Sequence, residues 1–100
     1  MIHVQVIPRS GDDLKSLIRG ALQRKQLRSF KVRQVKGGLL LSHSKHPGTV
    51  ELEQSRGVLL ATVMCKNHAK EWQLLESLVG RLVYHFRAEV AAMNIQPTKD

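Results

Sequence analysis

The chain has one cysteine, Cys65, and so cannot close an internal disulfide. Its fold must rest on a packed core, and a lone thiol suits a reducing compartment, so a cytoplasmic location is the expectation. Aromatic residues are nearly as scarce: Phe30, Trp72, Tyr84 and Phe86 are the only four, which leaves Leu, Val and Ile to build the interior. No apolar run approaches the ~20 residues that cross a bilayer as a helix, so no membrane partner is expected. The opening MIHVQVIPRSGDD has no positive leader before a long apolar stretch and reads as mature protein rather than a signal peptide. Glycine-rich phosphate loops and the G-x-S-x-G elbow are also missing.

The most informative absence is that of negative charge. Between Leu14 and Val50 there is no Asp or Glu, against nine Arg or Lys. The whole chain carries a formal charge of +8, and residues 1–50 supply all of it, because residues 51–100 hold six basic and six acidic side chains. Six cations crowd into RKQLRSFKVRQVKGG, residues 24–38. A one-sided field of this kind attracts a polyanion, and it speaks to binding rather than to fold.

One hundred residues make one domain, expected here over 1–93 with a loose polar tail at 94–100. The stretch 2–7 alternates apolar and polar residues and ends at Pro8, as a half-buried strand does. Ser10 is positioned to cap a helix over about 11–27, with Asp12 and Asp13 near its positive end and a stripe of Leu14, Leu17, Ile18, Ala21 and Leu22. From Ser29 the period becomes two. Phe30 and Val32 point to the core, and Lys31, Arg33 and Val35 point away. Strands over 39–42, 49–54 and 58–65 follow, separated by Lys36-Gly37-Gly38, His46-Pro47-Gly48 and Ser55-Arg56-Gly57 turns. A long helix over about 68–92 closes the pattern, with Asn67 as its cap and Trp72, Leu75, Val79, Leu82, Phe86 and Val90 as its main stripe.

The order β-α-β-β-β-β-α predicts an α+β two-layer sandwich: an antiparallel meander sheet covered on one face by two helices, the C-terminal one long. This order is similar to the TATA-binding-protein-like and Bet v 1-like folds. The resemblance lies in element order alone and brings no functional residue with it.

The residues raise three chemistries. A Cys65/His68 pair has the elements of a nucleophile and its base, yet no carboxylate pattern marks a desolvated acid–base site, and a non-enzymatic protein without cofactors is expected. His43/His46 and Cys65/His68 each set two zinc-type ligands three residues apart at one end of the sheet. This makes a zinc site conceivable, without the C-x-x-C pairs of strong zinc motifs. The basic stretch is the third. Lys15, Arg19, Arg24, Lys25, Arg28, Lys31, Arg33 and Lys36 form a candidate nucleic-acid-binding set that meets backbone phosphates with weak sequence specificity, because no exposed aromatic accompanies it. Glu51 and Glu53 compete for part of this charge if they pair across the sheet with Lys31 and Arg33. The alternative reading is an adaptor that docks an acidic protein or forms a homodimer through sheet edges or helix faces, given the broad apolar girth of the second helix.

Overall fold

The computed structural model describes all residues except 12, 28, 99 and 100. The elements are β1 (Ile2–Pro8), α1 (Leu14–Gln23), β2 (Phe30–Val35), β3 (Gly38–His43), β4 (Thr49–Ser55), β5 (Val58–Met64), α2 (His68–Phe86) and β6 (Val90–Pro97). The six strands form one antiparallel sheet in the order β2-β3-β4-β5-β1-β6. The α+β class and the β2–β5 meander follow the sequence pattern.

The core is one apolar layer between the sheet and the helices. Ile2, Val4 and Val6 stand opposite Val63, Ala61 and Leu59, and this row continues through Val50, Leu52, Leu39 and Leu41. Leu14, Ile18 and Ala21 of α1 cover it from one side, and Leu74, Leu75, Leu78 and Leu82 of α2 from the other. The other face of the sheet carries Arg33, Leu40, Glu51, Thr62 and His3 in one cross-strand row, and no helix lies over it.

Four expectations are corrected. The first helix starts at Leu14, and its cap is Asp13, not Ser10. Gly11 takes φ +71°, which no helix admits, so Ser10 is cut off from the first turn. Asp13 Oδ1 accepts from the Ser16 N–H at 3.2 Å and Oδ2 from the Ser16 hydroxyl at 2.7 Å. These bonds hold the Asp13 carboxyl below its ordinary value. Asp12 lies outside the described residues.

The second helix ends at Phe86, and the stretch expected as its end and a loose tail is instead the edge strand β6. Composition favoured helix here, with Val-Ala-Ala-Met in sequence. Tertiary context decides otherwise: β1 pairs with β5 on one side, and β6 supplies partners for the backbone groups on its other side from Ile2 to Pro8.

The core stripe of α2 is also rotated from the expected one. Leu74 and Leu78, outside the expected stripe, are buried, while Trp72, inside it, is about half exposed. Val32 shares the inward register with buried Leu41 but is 41% exposed, because β2 is an edge strand lying beyond the helical layer.

The Gly37-Gly38 pair divides its work differently from the expectation. Only Gly37 has positive φ, in the two-residue turn between Val35 and Gly38. Gly38 opens β3, and the Leu52 carbonyl approaches so closely that no Cβ fits there.

Candidate nucleic-acid interface

The basic stretch begins where α1 stops. Lys25 N–H donates to Leu22 O at 3.1 Å and Gln26 N–H to Ala21 O at 2.9 Å, which is the paired bonding of a Schellman helix end. That motif requires a left-handed residue, normally glycine. Lys25 fills it at φ +58°. The helix therefore ends at Gln23 rather than near residue 27, and the chain swings out to start β2 at Phe30. Arg24 folds back over Gly20, its Nη1 atom 3.1 Å from where a Cβ on Gly20 would lie, and its Nη2 donates to Gln26 Oε1 at 3.4 Å. Arg24 and Lys25 are both exposed.

β2 continues the charge along the sheet edge. Lys31 and Arg33 are exposed on the open face, and Lys36 is exposed in the following turn. From Phe30 to Lys36 the edge is roughly 20 Å long, about six base-pair rises of duplex at 3.4 Å each. The β3–β4 loop curls back to this edge: Ser44 N–H donates to Ser29 O at 2.8 Å. That bond brings exposed Lys45 beside the α1–β2 connection. The sequence places Lys45 near the basic stretch only if this loop curls back, and the Ser44–Ser29 hydrogen bond meets that condition.

The expected set is therefore not one stripe. Lys15 starts α1 over β4, two strands in from the edge, where its N–H donates to Gln54 Oε1 at 3.4 Å. Lys15 and Arg19 are half-buried, and the Arg19 Nε is buried without a partner. Arg24 and Lys25 belong to the helical side, Lys31 and Arg33 to the open face, and the β2 edge is where the two groups meet. Arg28 lies outside the described residues.

Competition from Glu51 and Glu53 does not arise. Both are on β4, and β3 separates that strand from β2. Among the described residues, no Arg or Lys forms an ion pair with a carboxylate. The two glutamates instead line a shallow polar depression on the open face with His3, Gln5, Asn94 and Gln96. This puts negative charge at the centre of that face and repels a polyanion from it. The aromatics are elsewhere too. Phe30 is buried edge-on against His43 at 4.9 Å, and Trp72, Tyr84 and Phe86 are all on α2.

The zinc-type residues do not converge. His43 and His46 stack with ring centroids 4.6 Å apart. The Nδ1 of His43 accepts backbone N–H groups from Lys45 at 2.9 Å and His46 at 3.2 Å, so it serves the loop. Burial, then the neighbouring His46, Lys45 and Arg81 charges, pushes the His43 ring toward its neutral form. Cys65 and His68 instead surround Glu71. That carboxylate is 4% exposed; it accepts from the Met1 ammonium at 2.8 Å and the Cys65 N–H at 3.0 Å, and His68 Nδ1 lies 3.6 Å away. Among the described residues, no group of three or more His, Cys, Asp or Glu side chains is placed to hold a metal ion. Nor is any described helix long and apolar enough to cross a membrane.

The chain matches no protein-family model, no curated protein and no solved structure.

Proposed function

We propose that this protein binds nucleic acid through backbone phosphates laid along the β2 edge, contacted by Arg24, Lys25, Lys31, Arg33, Lys36 and Lys45. The observation that supports this reading is the absence of carboxylate partners for these exposed cations. Charge held together without compensation raises the free energy of the isolated domain and is relieved by a polyanion that releases its counterions. The left-handed Lys25 adds to it: a cation occupies a position where glycine would be conformationally cheaper. With Phe30 buried and the open face aromatic-free, nothing along the edge stacks on bases, so the readout is weak in sequence and carried by charge.

The test is titration of random single- and double-stranded oligonucleotides against the wild type and a triple charge reversal, Lys25→Glu, Lys31→Glu and Arg33→Glu. Loss of binding in the reversed protein, with its circular dichroism spectrum kept, supports the reading. Unchanged affinity moves the site elsewhere. Failure to bind oligonucleotides, together with tight binding to an acidic protein, replaces it with an adaptor role through the same edge.

A further inference from the structure

The two edges of the sheet are built in opposite ways. β2 is guarded by Lys31, Arg33 and Lys36, the usual means of keeping another strand away. β6 has no charged residue in VAAMNIQP, and its only proline is the last residue. It pairs with β1 along one side, and among the described residues no strand pairs with its other side. An eight-residue neutral edge left open in this way is a template for one more strand.

The flank of α2 nearest that edge is apolar as well. Trp72, Val79 and Val83 recur at helical spacing along one flank of α2. Trp72 lines one crevice together with Pro97 and Thr98, which sets the start of this flank beside the end of β6. Trp72 is 48% exposed, Val83 47% and Ile95, on the helix side of β6, 41%.

We propose that a second copy of this chain covers this side of the molecule. Two β6 strands pair antiparallel about a two-fold axis, and the Trp72, Val83 and Ile95 side chains of both copies close over the join. Each copy carries +8, which opposes association over most of the surface, and β6 is where that repulsion is least. The charges near the join are self-complementary. Glu76 of α2 and Arg87, the helical-conformation residue that caps its end, are exposed about three turns apart along one flank, so a two-fold axis between them sets each Glu76 toward the other copy's Arg87. The resulting twelve-stranded sheet carries its two basic β2 edges at opposite ends. This inference does not depend on what those edges bind.

Light scattering and sedimentation over a concentration series test it. The expected mass is twice the 11.3 kDa of the chain, falling toward one copy on dilution. Ile95→Lys on the strand and Val83→Lys on the helix each shift the protein to monomer with an unchanged circular dichroism spectrum; the helix variant leaves β6 intact. Glu76→Arg and Arg87→Glu each weaken the dimer, and the two together restore it. A monomer at every concentration overturns the proposal. So does a dimer that survives both lysine variants, or open-ended growth beyond two copies.

Discussion

Arg33 and Glu51 face the same side of the sheet without meeting, because Leu40 stands between them, paired with Arg33 across β2–β3 and with Glu51 across β3–β4. Opposite charges on one face are thus kept a full strand apart. Leu40 covers the gap, and the guanidinium remains available to a partner from outside. Arg33→Ala is therefore expected to change folding stability by no more than about 0.5 kcal/mol. It should weaken oligonucleotide binding alike for all sequences and lower the salt slope by about 1. Thermal melting and a salt titration of the same variant check both halves.

Lys25 allows stability and binding to be moved in opposite directions. Relief of a left-handed, non-glycine residue at the Schellman position makes Lys25→Gly more stable by about 1 kcal/mol. The same change removes a cation from the proposed interface and weakens binding. A melting temperature that rises while affinity falls is the expected pair of results, read by calorimetry and fluorescence anisotropy.

How much of this could be read in the sequence depended on whether the deciding contact was local. The strands expected over 2–8, 30–35 and 39–42 and the turn at Arg56-Gly57 follow from apolar patterning and turn residues close in sequence, and each is present in the fold. The charge asymmetry was equally plain. β6 was not legible, because its strand state comes from pairing with β1, some ninety residues away. The exposure of Val32 and the inclusion of Lys45 depend on which strand forms the edge and on the Ser44–Ser29 bond, neither of which leaves a periodic mark. The zinc pairs illustrate the converse: correct spacing in sequence, with His43 committed to its own loop and Cys65 to Glu71.

Glu71 makes stability depend on pH in a defined direction. Burial works to raise its carboxyl, but the bonds from the Met1 ammonium and the Cys65 N–H prevail and hold it below its ordinary value of 4.5. A depressed carboxyl stabilises the fold fully above the unfolded value, and that contribution is lost as pH falls through the folded one. Melting temperature should therefore drop as acid is added below about pH 4.5. Glu71→Gln should cost about 1–3 kcal/mol at neutral pH and flatten that acid limb. Thermal denaturation of both proteins across the acid range measures it.

The central claim is that the uncompensated β2 edge is a phosphate-binding surface. It is tested most directly by the dependence of oligonucleotide affinity on salt. For six phosphate contacts on duplex, the logarithm of the association constant should fall against the logarithm of salt concentration with a slope of about −5. The triple charge reversal at Lys25, Lys31 and Arg33 should abolish that dependence along with binding. No binding at about 50 mM salt, or binding with a slope near zero, would contradict the claim.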